Sequence, residues 1–412
     1  MTANHTIQLY EHESLDVGQR RDGIVFTEAH RRAMVQLHAQ LAHPFFALTY
    51  RGIRFSHYVG TIQVPGLTME VLPKADSLRA SSPALWRNVL MEMLAACDII
   101  RPLTLRNGAG LSAHTVLEAY LGQFLAETEA LCRRGLRKHY QAVTENVTTF
   151  RGAPQFAPHV RRNFAHKERL YTQYQQRTLA HPLHMVLKQT LLVVAALDYP
   201  SLSQQARRLL YYFEAVPDGA FDANTLTRLL YNRHTEPYRT AVAMAQHILR
   251  HHFPSLYGRP GSSSLALMLD MNMLFEEYVY QQLRRAALPP GVKVARQVSR
   301  DFWGTTKVRP DLLVTLPNDQ PPIIIDTKWK VLKGKPSSAD LQQIFVYSHL
   351  FGAQRAILLY PQASAEAERR PFHSPHLLEG EVNFVRIIDD QRQGLNPYLG
   401  QELIALLGLQ AG

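Results

Sequence analysis

Apolar and polar residues alternate along the first 80 positions of the chain. The runs HTIQLYEH and FALTYRGIRFSHYVGTIQVPGLTMEVLPK alternate around turns at Gly52, Gly60 and Pro65-Gly66. A period of two is typical of half-buried strands, so this region is predicted to form a β-meander or hairpin. One helix, TEAHRRAMVQLHAQLA, interrupts the strands. We therefore expect a β-rich N-terminal domain over residues 1–80.

The spacing of apolar residues lengthens to about 3.6 in the middle of the chain, which is the period of amphipathic helices. Five segments follow this period: ALWRNVLMEMLAACDII, TVLEAYLGQFLAETEALCRRGLRKHY, HPLHMVLKQTLLVVAAL, PSLSQQARRLLYYFEAV and YRTAVAMAQHILRHHF. A helical middle region is therefore predicted over residues 81–260. The loop or linker GRPGSSS, residues 258–264, would end it, and Ser264 or a neighbour would cap the helix that follows.

Strands and helices alternate in the last region, residues 261–412. The predicted order is a helix over SLALMLDMNMLFEEYVYQQLRRAAL, strands over VKVARQVSRDF, VRPDLLVTL and PPIIIDTKW, a helix over SADLQQIFVYSHLFG, strands over RAILLYP and EVNFVRII, and a helix over NPYLGQELIALLGL. Strands flanked by helices predict a small α/β domain. The whole chain is thus expected to be an α+β multidomain protein.

Composition and charge describe a globular protein with a preference for polyanions. The chain has 412 residues, 46% of them hydrophobic, and a formal net charge of +11. Positive charge favours nucleic acid first and acidic membrane surfaces second. Much of the excess lies in residues 133–169, which hold nine Lys or Arg and two acidic residues. This basic segment is interpreted as a DNA-facing arm, a docking surface for an acidic partner, or a solvated helix face.

Cysteine content and the lack of long apolar runs indicate a cytoplasmic protein. Only Cys97 and Cys132 occur, which excludes a disulfide framework and a Cys-based zinc site and fits a reducing compartment. The N-terminal sequence lacks the pattern of a signal peptide. The most apolar run, LLVVAALDY, is much shorter than the roughly 20 residues of a membrane helix, so no membrane partner is expected.

Two aspartates lie near the ends of two strand-like runs in RPDLLVTLPNDQPPIIIDTKWK, residues 309–330. The triplet Asp326-Thr327-Lys328 carries little information alone, since a chain with 34 acidic residues is expected to contain an acid-x-lysine triplet by chance. Its position is more informative, because Asp326 and Lys328 would point to the same side at the end of a buried strand. Uncompensated charges are costly there.

The turn LPNDQPP would bring the two aspartates together if the two runs form an antiparallel pair. Asp311 and Asp326 would then be neighbours, and two close carboxylates repel unless a proton or a cation lies between them. An oxygen-rich site of this kind suits Mg²⁺ or Mn²⁺, with Lys328 available for a phosphate or a water. The alternative is a surface hairpin whose ends form an Asp–Lys ion pair.

Two helices offer further polar residues for the same centre. Asp340, Gln343 and Tyr347 share one face of the helix that follows the triplet, although that helix is otherwise apolar. Glu276 and Glu277 interrupt the apolar run of the helix that precedes the strands. Either Glu276 is a further carboxylate of the centre or it is a solvated residue.

The order of these elements resembles the PD-(D/E)xK nuclease superfamily, and the last element resembles its RecB-like branch. The pattern is Glu276 on a helix, Pro310-Asp311 and Asp326-x-Lys328 on strands, and Gln343-x-x-x-Tyr347 on a helix. The resemblance implies that Asp311, Asp326, Glu276 and the Thr327 carbonyl bind the metal, that Lys328 orients or activates the attacking water, and that Gln343 and Tyr347 position the substrate or brace the centre. Whether Glu276 or Glu277 supplies the helix carboxylate stays open.

Three further blocks resemble McrC, the nuclease subunit of McrBC-type modification-dependent (5-methylcytosine) restriction systems. They are YVGTIQVPGLTMEVLPKA (58–75), GLRKHYQAVTENVTTFRGAPQF (135–156) and LDMNMLFEEYV (269–279). The resemblance is thin over residues 195–260. It implies a Mg²⁺-dependent DNA endonuclease with a C-terminal restriction-endonuclease-like domain. It also implies that the N-terminal part docks on a hexameric AAA+ GTPase, McrB, stimulates its GTP hydrolysis, and leaves the choice of site on double-stranded DNA to that partner.

The sequence contains no nucleotide or zinc motif that would point elsewhere. In a phosphate loop ending at Gly334-Lys335, the first glycine would stand where Trp329 is, and Pro336 intrudes before the serine, so this chain itself is not expected to bind a nucleotide. HPLH, residues 181–184, is not the zinc motif H-E-x-x-H. The turn around Gly334 is rich in lysine. Its lysines, Lys330, Lys333 and Lys335, either contact DNA phosphate or form a solvated loop.

Three hypotheses follow for the function. The leading one is a Mg²⁺-dependent endonuclease subunit that acts with an AAA+ GTPase. The second is a non-catalytic activator or adaptor of that partner, acting through residues 1–80 and the helical region. The third is a stand-alone repair or recombination nuclease of the RecB-like type.

Overall fold

The computed structural model divides the chain into two compact units. One unit contains residues 1–119 and 266–412, and the other contains residues 120–265. The structure describes residues 6–74, 82–99, 115–219, 231–253, 264–332, 334–362, 367–373, 378–389 and 391–409. The fold is mixed α/β with several sheets, as predicted. Because contacts group both ends of the chain into one unit, the three-part division by role stays a prediction.

The N-terminal part of the first unit contains the predicted strands and helix. Its elements are β1 (Thr6–Tyr10), β2 (Ser14–Asp16), β3 (Arg20–Arg21), β4 (Ile24–Val25), α1 (Glu28–Gln40), β5 (Phe46–Leu48), β6 (Gly52–Phe55), β7 (Tyr58–Val64), β8 (Leu67–Leu72) and α2 (Pro83–Ala96). Strand β8 pairs with β1 in parallel and with β7 antiparallel, and every residue of β8 is buried. Thr27 and His30 form a reciprocal pair of hydrogen bonds that caps α1.

The second unit combines helices with a three-stranded sheet. Its elements are α3 (Val116–Arg133), which begins in the first unit, β9 (His139–Val147), β10 (Ala153–Pro154), α4 (Phe156–Asn163), β11 (Leu170–Thr178), α5 (Pro182–Ala196), α6 (Pro200–Leu210), α7 (Arg239–Arg250) and β12 (His252–Phe253). Strand β9 pairs antiparallel with β11 along its whole length. No helix in the described ranges is long and apolar enough to cross a membrane.

The middle region contains the five predicted helices, but it also contains a three-stranded sheet that the helical prediction lacks. The helix predicted as far as Tyr140 ends at Arg133, and Gly135 then adopts a left-handed φ of +81°, which terminates helices readily. The following residues form β9, where β-branched Val143 and Thr144 favour a strand. The basic segment 133–169 therefore lies largely on a strand, a short helix and their connections.

The later part of the first unit is built on a six-stranded sheet. Its elements are β13 (Ser264–Asp270), which starts in the second unit, α8 (Met271–Arg285), β14 (Lys293–Arg296), β15 (Arg300–Trp303), β16 (Thr306–Val308), β17 (Leu312–Thr315), β18 (Ile323–Thr327), α9 (Ser338–Phe351), β19 (Arg355–Tyr360), β20 (Glu368–Pro371), β21 (Glu379–Phe384), β22 (Ile388–Asp389), β23 (Gly394–Leu395) and α10 (Leu399–Leu407). The strand order is β14-β17-β18-β19-β21-β20. Ile324, Ile344, Phe351 and Leu358 join α9 to the sheet in one buried cluster.

The helix predicted over residues 264–288 is wrong in its first part. Ser264 to Asp270 form strand β13, and Asp270 caps α8 by accepting hydrogen bonds from the backbone of Asn272 and Met273. A short, fully apolar run does not distinguish a buried strand from a buried helix. Ser264 is thus a strand residue and not a helix cap, and the rest of the predicted linker, residues 258–263, lies outside the described residues.

Candidate functional site

Strands β17 and β18 pair antiparallel, which confirms the predicted hairpin. Leu312 lies opposite Ile325, so the register places Asp311 opposite Asp326. The turn between the strands uses Asn318 and Asp319 at positive φ, a conformation that these residue types tolerate better than most. The sequence pattern therefore places both aspartates at one end of the strand pair.

Asp311 is held against the end of β18. Its Oδ2 accepts a hydrogen bond from the backbone N–H of Thr327 at 2.7 Å and another from Thr327 Oγ1 at 2.8 Å. Both donors belong to the residue between Asp326 and Lys328. The position of the first aspartate is therefore fixed relative to the other two residues of the motif.

Asp326 and Lys328 form an ion pair in which the carboxylate is buried and the lysine is partly buried. Asp326 is 1% exposed, and its Oδ2 lies 2.7 Å from Lys328 Nζ. Burial raises the pKa of Asp326 to about 6, helped by the neighbouring charge of Asp311 and opposed by Lys328. Burial lowers the pKa of Lys328, but the carboxylates around it, first that of Asp326, outweigh this and raise it. Lys328 is thus held as a cation.

Helix α9 supplies the polar side chains predicted to lie on one face. Lys328 Nζ donates to Gln343 Oε1 at 3.0 Å, and Gln343 Nε2 donates to the Tyr347 hydroxyl at 2.7 Å. Asp340, one turn earlier, accepts a hydrogen bond from Lys330 at 2.7 Å and lies 3.7 Å from Lys328 Nζ. Gln343 and Tyr347 therefore form a chain of hydrogen bonds that orients the lysine.

Helix α8 directs Glu276 toward the same centre. Its Oε1 accepts a hydrogen bond from Gln297 Nε2 at 2.8 Å. Burial, and then the charge of Asp311, raises the pKa of Glu276 to about 7. Glu277 instead pairs with Arg296 and accepts a hydrogen bond from the next turn of its own helix. Of the two glutamates, Glu276 is therefore the one whose pKa is raised by the charge of Asp311.

Gln297 is a site residue that the sequence pattern does not reveal. The single strand predicted over VKVARQVSRDF is interrupted there, because Gln297 adopts a φ of +51° between β14 and β15. Its backbone N–H donates to the Asp311 carbonyl at 2.9 Å, while its side chain holds Glu276. Glutamine is not a residue type that favours left-handed backbone, so the sequence carries no signal for this turn.

Trp329, the residue after Lys328, anchors the chain just beyond the end of β18. Its indole N–H donates to Glu11 Oε1 at 2.8 Å across 318 positions of sequence, and its ring packs edge-on against Phe275 at 5.3 Å. Glu11 also accepts the backbone N–H of Lys74 at 2.8 Å, so it ties the ends of β1 and β8 to this point. The indole thus fixes the backbone next to Lys328 and packs on the neighbour of Glu276.

Replacement of Trp329 by phenylalanine is expected to lower the free energy of unfolding by about 1–2 kcal/mol more than the same change at Trp86. Both indoles are buried in the same unit, but Trp86 Nε1 has no hydrogen-bond partner among the described residues. The difference reflects the charge-assisted bond to Glu11. Chemical denaturation of both variants measures it, and equal losses would contradict the anchoring role.

The donor atoms of the site fit a hard divalent cation. Asp326 Oδ2 is buried, and within the described part of the chain no donor is aligned with it for a hydrogen bond, although Lys328 is close. In the same ranges, no three His, Cys, Asp or Glu side chains are grouped closely enough to hold a metal ion. Mg²⁺ commonly binds one or two carboxylates and keeps several waters, a ligand set that Asp311 and Asp326 match.

Comparison with protein families identifies the chain. A family model described as McrBC 5-methylcytosine restriction system component matches residues 53–361, which include every residue of the site from Glu276 to Tyr347. The chain belongs to the McrBC family. No curated protein matches the sequence at a significant level.

Solved structures share the fold of this McrBC-family protein at low sequence identity. One is a chain in the half-complex from the tetradecameric assembly of Thermococcus gammatolerans McrB AAA+ hexamers with bound McrC; it is 18% identical, with a TM-score of 0.72, over 98% of this chain and 99% of that one. Another is a chain of the Thermococcus gammatolerans McrBC complex, 17% identical, with a TM-score of 0.52, over 68% of this chain and 87% of that one. The first similarity extends over nearly the whole chain, beyond the region that the family model covers.

Proposed function

We propose that this McrBC-family protein is an McrC-type nuclease subunit that hydrolyses phosphodiester bonds of double-stranded DNA with Mg²⁺. In this proposal it acts with an AAA+ GTPase of the McrB type and stimulates GTP hydrolysis by that partner. The observation that carries the proposal is the convergence of Asp311, Asp326 and Lys328 at the end of β18. Family membership and the fold shared with a chain from an assembly of McrB and McrC support it.

Each side chain of the site has a role in this reaction. Asp311 and Asp326 would hold the cation, with Glu276 and the Thr327 carbonyl beside them. When bound, Mg²⁺ supplies charge stabilisation at the phosphate and makes water a stronger nucleophile. Lys328 is placed to donate hydrogen bonds to a phosphate oxygen or to the attacking water, because Gln343 holds its ammonium group beside Asp326.

The lysines near the site differ in how freely they could contact the phosphate backbone of DNA. Lys330 pairs with Asp340 and is half exposed, and Lys335 is exposed in the turn before α9. Lys333, predicted together with them, lies outside the described residues. Contacts of this kind position DNA without reading its sequence, and they weaken as salt increases.

Removal of divalent metal is expected to abolish DNA cleavage. The purified chain, mixed with the AAA+ GTPase of its restriction system, should cut methylated duplex DNA only with GTP and Mg²⁺ or Mn²⁺, because Asp311 and Asp326 need a cation to hold the phosphate. Gel analysis of cleavage with and without EDTA measures this. Cleavage that resists EDTA would contradict the proposal, and strong cleavage by the chain alone would favour the RecB-like alternative.

One observation favours an additional role as activator of the partner. The segment from β9 to β11 exposes Phe150, Phe156 and Phe164, each more than half exposed, beside Arg151 and Arg161. Exposed aromatic side chains among charges are typical of a surface that docks another protein. If activation is the whole function, Asp326→Asn will leave the activity of the restriction system unchanged.

A further inference from the structure

A short hairpin beside the site exposes two large aromatic side chains. It consists of β15 and β16, residues 300–308, which pair antiparallel through a turn at Gly304 with a φ of +52°. Phe302 is 51% exposed and Trp303 is 80% exposed. The register shifts between Asp301 and Trp303, and a bulge of this kind re-aims the side chains that follow it. The tip of the hairpin is thus an apolar surface in contact with solvent.

The base of the hairpin is fixed to the protein. Val298 and Val308 pack against the buried cluster beneath α9. Arg300 donates to the Leu350 carbonyl at 2.6 Å and lies over the ring of Phe351 at 4.7 Å. A rigid base and an exposed tip indicate an element that presents its tip to a partner, because exposed aromatic residues contribute little to the core.

The hairpin starts and ends at the candidate site. Gln297, three residues before Arg300, donates hydrogen bonds to the Asp311 carbonyl and to Glu276. Arg309 and Pro310, directly after it, lead into Asp311. A duplex whose phosphate reaches Asp311 and Asp326 must therefore lie close to the root of the hairpin.

The charges on and around the hairpin complement a polyanion. Lys307 and Arg309 are exposed, while the one acidic residue of the hairpin, Asp301, lies 3.5 Å from Lys307. Aromatic side chains next to basic ones suit nucleic acid, since bases stack on aromatic rings while cations contact the phosphates. Apolar wedges of this type also enter duplex DNA between base pairs.

We propose that the hairpin of residues 300–308 contacts duplex DNA next to the cleaved phosphate, with Trp303 and Phe302 against bases or sugars. The placement rests on the proposed function, because it takes the phosphate at Asp311 and Asp326 as the reference point. The contact with DNA itself is measurable without cleavage. A protein partner on this surface is the competing occupant, and the experiment separates the two.

The fluorescence of Trp303 reports whether the hairpin is covered. The chain has three tryptophans, and the other two, Trp86 at 1% and Trp329 at 5%, are buried. Acrylamide quenching of the full chain therefore reports mainly on Trp303. We expect duplex DNA to protect it in the Asp326→Asn chain, in which cleavage is expected to be slowed about 10²–10³-fold. We expect the AAA+ partner alone not to protect it.

Affinity for duplex DNA is expected to fall about tenfold in Trp303→Ala and further in Phe302→Ala/Trp303→Ala, as loss of a base–aromatic contact does. Trp303→Phe should restore most of it. Tyr398→Ala, at an aromatic residue of the same unit that is 61% exposed, is the matched control and should bind as the parent chain does. The affinities are measured for the full chain and for its complex with the partner.

The proposal is overturned if Trp303→Ala binds DNA as tightly as the parent chain, if neither the chain nor its complex binds duplex DNA, or if only the AAA+ partner protects Trp303. A weaker affinity in Trp303→Ala, in a complex that never cleaves DNA, would leave the hairpin as a DNA contact and reject the proposed function. Loss of cleavage in Asp326→Asn together with normal DNA binding by Trp303→Ala would support the proposed function and reject the DNA contact of the hairpin.

Discussion

Asp326→Asn is expected to reduce the rate of DNA cleavage by about 10²–10³-fold while the complex with the AAA+ partner still forms. In the proposed function, the change removes the charge that would hold a cation. It also removes the charge that pairs with Lys328 at 2.7 Å. Loss of one preorganised electrostatic group has effects of this size. Single-turnover cleavage of methylated DNA measures the rate. Gel filtration and GTP hydrolysis measure the complex and its activation.

Glu381→Gln is the matched control for this variant. Glu381 is another buried carboxylate of the same sheet and pairs with Arg355, but on β21, two strands away from Asp326. If cleavage depends on the site and not on any buried ion pair, Glu381→Gln keeps most of the activity of each folded molecule. Equal losses in the two variants, or full cleavage by Asp326→Asn, would reject the assignment of the site.

The centre of the site was predictable because it depends on local rules. A period of two predicts that Asp326 and Lys328 lie on one side of a strand. The turn of seven residues is short enough for the partner strand to return beside it, as the structure shows. The polar face of α9 follows from helical spacing, and the structure indeed joins Gln343 to Lys328. None of these steps needed information from distant parts of the chain.

The remaining parts depend on tertiary contacts that no local pattern encodes. Glu11 reaches Trp329 across 318 positions, and Gln297 enters the site through a left-handed backbone that its residue type does not predict. Strand β13 is predicted as helix, and β9 lies in the region predicted to be helical, for a related reason: a segment takes its form partly from the neighbours with which it pairs. Local patterns therefore predict the arrangement of the candidate residues, but not the distant contacts that support them.

Glu276 lies where the requirements of the site and of folding conflict. Burial and the charge of Asp311 raise its pKa to about 7, so the folded chain prefers the protonated form. A carboxyl group whose pKa is higher in the folded state stabilises the fold at low pH, and that stability is lost as pH rises through the folded-state pKa. Without metal, the ionised carboxylate is therefore expected to destabilise the chain at pH 8.

Glu276→Gln is accordingly expected to raise the free energy of unfolding by about 1–2 kcal/mol at pH 8 in EDTA, and to change it little below pH 5. The amide is neutral at every pH, and the magnitude is reduced from the full effect of the pKa shift because Glu276 is only partly buried. Chemical denaturation at the two pH values measures both differences.

The adjacent Glu277→Gln separates this effect from a general gain on removal of negative charge. Glu277 pairs with Arg296, so its amide variant should gain nothing at pH 8. Mg²⁺ at pH 8 should stabilise the parent chain more than it stabilises the Glu276→Gln variant. In the parent chain, a cation beside Asp311 relieves the repulsion between the two carboxylates, and in the variant the glutamine has already removed that repulsion. A gain in stability that is independent of pH, or one that Glu277→Gln shares, would show that burial and the charge of Asp311 do not act on Glu276 as argued.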